Sequence, residues 1–474
     1  MKLQEKQRKI TAYILIAIAS FGCKKLTQVP EPVNTITTQE TFSTDATATS
    51  AIVGIYNYAM NANGSLSLAN GKATLDLGMS ADELHLFNGP SPFELNTLST
   101  TGSNSDDLWR SAYYAIYLSN AAIEALPISN GVSAPLKKQL TGEAKFFRAF
   151  FNFYLVNLYG DIPLVTTTAY RTNDTLHRTS TNKVYEQIIA DLKDSQNSLA
   201  VDYSISGGER IRVNQSGATA LLARVYLYLG DYNKDQSNYA NAEIQASSVI
   251  NNTALYQMES DLNNVFLANS SETILQFQVA NTYPYSTQEG NRLITANATS
   301  NPNYYLTSQL IGAFESGDKR RIQWVDSTNY AGTIYYYPYK YKVRVGTQDN
   351  ITEYYMVLRL AEQYLIRAEA RARQNKLTGA NGAISDLNFI RQRAGLPTIS
   401  STITQSQVLA LIAQERRIEL FGEWGHRWLD LKRAGIADQV LGAIKPTWKP
   451  TAKLYPIPAS ELVNDANLAQ NPGY

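Results

Sequence analysis

Apolar residues recur at helical spacing over most of the chain. From Glu143 to Tyr159, the residues Phe146, Phe147, Phe150, Phe151, Tyr154, Leu155 and Leu158 repeat at i, i+3, i+4 and i+7, which lines one helix face with a continuous, mostly aromatic stripe. Gly160 is placed to cap that helix and Pro163 to prevent its resumption. The same period predicts helices over Leu108–Leu126, closed by Pro127, and over Val184–Leu199. Two later segments, Ala218–Ile250 and Tyr355–Ala394, each read as two helices about a turn. Small residues (Ala223 and Ala242; Ala368 and Ala383) fall where the paired helices would cross closely. Such tetratricopeptide-like hairpins cannot bury their apolar faces alone and stack on neighbours. The two units differ in small-residue spacing and do not follow in tandem, so hairpins are expected without a regular solenoid.

Between these units the pattern changes. Residues 271–344 carry Gly, Pro, Asn and Thr clusters with little helical period, and ten of the 31 tyrosines lie between residues 281 and 345. Ile334–Val345 alternates well enough to be a strand, and Pro338 within it implies a sheet edge. The expected architecture is therefore mainly α, with helical hairpins supporting a loop-rich face that has a few short strands. Residues 51–474 read as one unit: a helical part over 51–270, a Tyr-rich loop insertion over 271–345, and a second helical part over 346–474.

The first 50 residues read differently. Lys2, Lys6, Arg8 and Lys9 precede an apolar run from Ile10 to Phe21 that is too short to span a membrane, which is the pattern of a signal peptide over 1–22. Cys23, the single cysteine of the 474 residues, follows at once and reads as the lipid-attachment site of an exported lipoprotein. Residues 23–50, rich in Thr and Pro, then form a lipidated tether.

Composition narrows the function. The whole chain carries +1; the signal segment holds four basic residues and one acidic, so its removal leaves −2. That balance gives no basic field for nucleic acid. The three histidines, His85, His177 and His426, are far apart in sequence, which removes helix-borne zinc patterns, and there is no nucleophile elbow, P-loop or dinucleotide fingerprint. No metal or cofactor is expected. Glu415, Glu419 and Glu423, at i, i+4 and i+8, are the one candidate set for a glycosidase, but Arg416, Arg417 and Arg427 among them favour structural ion pairing, so a binding protein is expected rather than an enzyme.

Binding is the stronger expectation. A sugar ring packs its C–H face on a flat aromatic while its hydroxyls seek amides and carboxylates. Trp324, Tyr283 and Tyr285 lie in the insertion with such groups around them, and the loop acids Asp82 and Glu83 are candidate hydrogen-bond partners. Trp109, Trp424 and Trp428, on helices, read as core.

Several long stretches carry a family resemblance: GEAKFFRAFFNFYLVNLYGDIPLV (142–165), VYEQIIADLKDS (184–195), RVNQSGATALLARVYLYLGDY (212–232), LRLAEQYLIRAEARAR (358–373), ISDLNFIRQRAGLP (384–397), ERRIELFGEWGHRWLDLKR (415–433) and the ending LYPIPASELVNDANLAQNPGY (454–474). In this order over the mature chain they resemble the SusD/RagB family of outer-membrane nutrient-binding lipoproteins. The resemblance implies a mostly helical fold, lipid anchoring on the outer leaflet facing outward, and a lid role on a SusC-like TonB-dependent transporter. It also implies an oligosaccharide ligand or, in some members, a peptide. Lys24 and Lys25 stand where many surface-displayed members carry acidic residues.

Overall fold

A computed structural model describes residues 3–7, 38–61, 66–101, 103–400 and 403–474. Cys23, most of the expected signal peptide and the tether as far as residue 37 lie outside the described residues.

The scaffold is a run of helices, packed one on the next from the third of them onward. Asp45–Asn61 (α1) and Lys72–Ser80 (α2) lead into Ser103–Ile128 (α3), Ala134–Tyr159 (α4), Thr181–Ser198 (α5), Gln215–Asn233 (α6) and Gln236–Ile250 (α7). After the insertion come Leu360–Arg373 (α8), Ala383–Arg393 (α9), Gln405–Glu419 (α10) and His426–Arg433 (α11). The stripe on α4 is the centre of the core: Phe146, Phe147, Phe150, Phe151 and Tyr154 are all sealed from solvent. The α4 backbone stops where the sequence places its cap, at Gly160 (φ 74°). Pro127 lies in the last turn of α3, which ends at Ile128. Trp109, Trp424 and Trp428 are buried; Trp424 meets Phe150 edge-on at 5.3 Å.

Helices α3 to α8 stack in order, with α7 packed directly against α8 although more than a hundred residues separate them in sequence. The two hairpins are thus neighbours in space, and the insertion leaves and re-enters the stack without breaking it. Ala223, Ala242, Ala368 and Ala383 are fully buried at these crossings.

The second hairpin begins later than its apolar pattern suggests. Tyr355–Arg359 is a strand, not a first helical turn, because it pairs antiparallel with Thr273–Phe277 and all ten side chains are buried. A short, continuously apolar run has no period to tell helix from strand. The described strands are Leu84–Leu86 (β1), Thr273–Phe277 (β2), Tyr304–Leu306 (β3), Val325–Tyr330 (β4), Thr333–Pro338 (β5) and Tyr355–Arg359 (β6), besides a two-residue pairing of Ile162–Pro163 with Arg178–Thr179. The expected strand over 334–345 is shorter: β5 ends at Pro338, which cannot donate a further ladder bond.

A buried ion network fastens the insertion to the C-terminal helices. Arg359 donates to Glu272, Glu419 and Glu423. Arg320 meets Asp318, Glu415 and Glu419, and Lys340 reaches Glu423 at 2.5 Å. Glu415, Glu419 and Glu423 are therefore sealed among their counter-charges, with no opening for a sugar, which removes them as glycosidase acids. The charges of Arg393, Arg359 and Arg320 hold the Glu419 carboxyl far below its ordinary range against the opposing effect of burial.

Candidate functional site

Three segments of the insertion side bring aromatic rings to one surface. Strand β1 pairs with β3 so that His85 stands opposite Tyr305, while Leu84 and Leu306 face the core. The pairing continues one residue further, where the Phe87 N–H donates to the Asn303 carbonyl at 3.0 Å. The β4–β5 hairpin then lays Tyr330 and Tyr335 beside them, and it is pinned to the preceding loop by Thr328, whose hydroxyl donates to the Ser300 carbonyl at 2.7 Å.

The rings form a connected wall. His85 and Tyr305 lie 5.0 Å apart, Tyr305 and Tyr335 5.1 Å, Tyr335 and Phe87 5.4 Å, and Phe87 and Tyr330 5.6 Å between centroids. The last three contacts are edge-to-face, so neighbouring rings turn in different directions and each presents a different aspect outward. Tyr330 is 38% exposed and the neighbouring Ile334 57%, while Phe87, Tyr305 and Tyr335 are partly exposed. Polar groups border the wall. Glu94 binds the His85 ring at 2.7 Å and the Leu86 N–H at 3.1 Å, and these bonds hold its carboxyl below the usual value although partial burial opposes them. Asp326 is exposed and accepts from the Tyr337 hydroxyl at 3.0 Å. Apolar faces with bordering acceptors suit a ligand that has both C–H faces and hydroxyls.

The residues singled out from sequence do not gather here. Trp324 is fully buried, its indole N–H donating to the Leu262 carbonyl at 2.9 Å and its ring lying under the Lys340 ammonium at 4.6 Å. It ends the short helix Lys319–Gln323 facing inward, so it corrects the expectation of a platform: its face is spent on core packing. Asp82 is also buried. It accepts from Arg427 at 2.7 and 3.0 Å and from Arg417 at 2.7 Å, and those pairs outweigh burial to lower its carboxyl. Glu83 is buried too; burial, then the charge of Asp82, push its carboxyl up to about 8. Neither acid is available to a ligand at the surface. Tyr283 is 73% exposed, but it borders a different hollow. Tyr285 is partly buried in a left-handed turn (φ 54°), its N–H closing on the Thr282 carbonyl.

The sequence reading missed His85, Phe87, Tyr305, Tyr330 and Tyr335. The surplus of tyrosine over 281–345 held three of them, and the loop flagged for Asp82 and Glu83 runs directly into the other two. Among the described residues no group of acidic, histidine or cysteine side chains is arranged to hold a metal ion, and no helix is long and apolar enough to cross a membrane.

With fold and surface in view, comparison with known proteins places the chain. The model of the SusD family matches residues 225–474, and a model described as "Starch-binding associating with outer membrane" matches residues 31–227. The chain belongs to the SusD family. It is 29% identical over 527 aligned positions to SusD-like protein P2 of Formosa agariphila, covering 99% of this chain and 100% of that one. Among solved structures, a laminarin binding SusD-like protein superposes with a TM-score of 0.72 at 24% identity, over 91% of this chain and 100% of that chain. Surface glycan-binding protein A from Bacteroides fluxus gives 0.73 at 23% identity, over 91% and 100%.

Proposed function

We propose that this protein is a glycan-binding lipoprotein of the outer membrane that captures oligosaccharides on the wall of Phe87, Tyr305, Tyr330 and Tyr335. The observation that carries the proposal is the wall itself: connected, differently angled rings held on short paired strands, next to carboxylate acceptors. Rings fixed in advance cost little side-chain entropy on binding, which favours ligands such as sugars that offer a C–H face to stack while their hydroxyls reach bordering acceptors. Relatives in fold whose names record laminarin and surface glycan binding support the ligand class, and the family description supports outer-membrane association. In this reading the protein has no catalytic role, Cys23 carries the lipid, the protein faces outward, and a SusC-like TonB-dependent transporter receives the glycan.

The test is affinity electrophoresis of the protein from Lys24 onward through gels containing laminarin, soluble starch, xylan or alginate. Retardation by at least one polysaccharide supports the proposal. Free migration in all of them, with capture of peptides by the same protein, would replace the glycan with a peptide ligand on the same scaffold.

A further inference from the structure

A further cavity lies away from the aromatic wall. It is a groove of about 720 Å³ between the chain leaving β2 and the segment entering β6. Phe277 pairs with Tyr355 at the end of that two-stranded sheet, and the residues just beyond, Gln278 and Tyr354, meet at 3.4 Å between amide and hydroxyl. The groove floor is Tyr354 with Met60 and Val279, all buried. Four carboxamides stand around it on exposed residues: Asn57, Gln278, Asn281 and Gln348. Thr282 adds a hydroxyl and Asp349 a carboxylate; among the described residues no lysine or arginine lines it.

The groove is anchored on both sides. The Tyr285 N–H bonds to Thr282, the Gly346 N–H to the Pro284 carbonyl at 2.9 Å, and the Ser286 hydroxyl to the Arg344 carbonyl at 2.8 Å. These tie the 282–286 turn to the 344–346 segment, so the two flanks of the groove cannot separate independently. Gly346 allows the approach, since a Cβ there would lie 2.5 Å from the Tyr285 carbonyl oxygen. At one end the groove joins a smaller hollow of about 100 Å³ that shares Met60, Val279, Ala280 and Thr282 and is bordered by the exposed Tyr283 and by Gln288. Gln288 begins the short helix Gln288–Leu293, which packs on β3 and hence beside Tyr305. The groove and the wall share no lining residue and are joined by that helix.

We propose that the groove is a second carbohydrate subsite, one that holds a neutral sugar unit through hydrogen bonds while the wall holds another part of the glycan by stacking. Each carboxamide offers both donors and an acceptor, the pairing that sugar hydroxyls require because they too donate and accept. The apolar floor receives a ring face. The volume falls within the 300–1,000 Å³ of ordinary small-ligand clefts. Charge selects among sugars. A uronate or sulfate would meet Asp349 with no basic lining group to offset it, so the subsite takes uncharged units. This proposal rests on the glycan-binding reading above and deepens it: the protein reads an extended, neutral glycan at two chemically different places.

The test compares the wild type with Asn57→Ala/Gln348→Ala in the groove and Tyr335→Ala in the wall, using the same panel of laminarin, starch, xylan and alginate followed by calorimetry on the retained glycans. Both groove residues are exposed, and circular dichroism melting verifies that the variant folds as the wild type does. The expected result is retention of a neutral glycan, with affinity about tenfold weaker in the groove variant, the size of one or two lost hydrogen bonds. Groove and wall variants should both weaken the long glycan, whereas short fragments should lose sensitivity to one of the two. Undiminished affinity of the groove variant for every retained glycan, with Tyr335→Ala impaired, overturns the subsite and leaves the glycan reading standing. Retention of alginate that the groove variant abolishes overturns the selection for neutral units. Failure of the wild type to retain any glycan overturns both, and a groove variant that loses only peptide binding assigns the groove to peptides instead.

Discussion

Arg359, the last residue of β6, donates to Glu419 of α10 at 2.7 Å, and both side chains are sealed from solvent. Both residues belong to the C-terminal part; Glu272 at the start of the insertion and Glu423 complete the set around the same guanidinium and so fasten the insertion to the C-terminal helices. Burial of so much charge is tolerated only because each group has a partner. Arg359→Met should therefore cost about 3–5 kcal/mol, because three buried carboxylates lose one of their cations at once and are left with Arg393, Arg320 and Lys340 alone. Urea unfolding measures it; a loss under about 1 kcal/mol would mean the network is dispensable. Glu419→Gln should likewise reduce stability, and no hydrolysis of glycosides should be detected in either protein, since no sugar reaches these acids.

Trp324 makes a second, separable prediction. Because the indole is fully buried and bonded to the Leu262 carbonyl, Trp324→Ala should lower stability by about 3–5 kcal/mol. Below the melting transition, glycan affinity should stay at the wild-type level. A fall in affinity without a fall in stability would return Trp324 to the binding surface.

Glu83 sets a pH dependence. Burial and the neighbouring Asp82 hold its carboxyl protonated up to about pH 8, against an ordinary value of 4.5. Between those values the folded protein keeps a proton that the unfolded chain has released, so stability falls as pH rises from 4.5 through 8. The contribution is at most about 5 kcal/mol at 1.36 kcal/mol per pKa unit. Glu83→Gln should flatten the alkaline side of the stability profile measured by denaturation between pH 5 and pH 9. An unchanged slope would show that Glu83 ionises freely in the fold. On the acid side His426 acts in the opposite sense: burial lowers its pKa to about 4, so its contribution is lost as pH falls from 6.5 through 4.

The helical scaffold was legible because its information is local and periodic. The Phe146–Leu158 stripe, the Gly160 cap and the close-packing alanines all state a helix face and a crossing within a few residues. The β6 strand was not legible, since Tyr355–Leu358 is apolar throughout and only its partner β2 decides its conformation. The continuous stack from α7 to α8 also depends on an interaction across the insertion, which no local pattern records. At the candidate site, composition pointed to the Tyr-rich insertion and singled out residues that the core and the ion pairs occupy. Trp324 and Asp82 look like ligand groups in sequence, but the first is claimed by the core and the second by Arg417 and Arg427 from α10 and α11. Tyr305 and Tyr335 become a surface only when β1, β3 and the β4–β5 hairpin meet.

The proposed function turns on glycan capture by the aromatic wall. Its most direct test is isothermal calorimetry of the wild type and a Tyr305→Ala/Tyr335→Ala double variant against whichever polysaccharide the gels retain, with melting temperature measured in parallel. The expected result is a loss of about fivefold or more in affinity, consistent with losing two aromatic contacts of about 0.5–1.5 kcal/mol each, in a protein that still folds. Wild-type affinity in the folded double variant would contradict it.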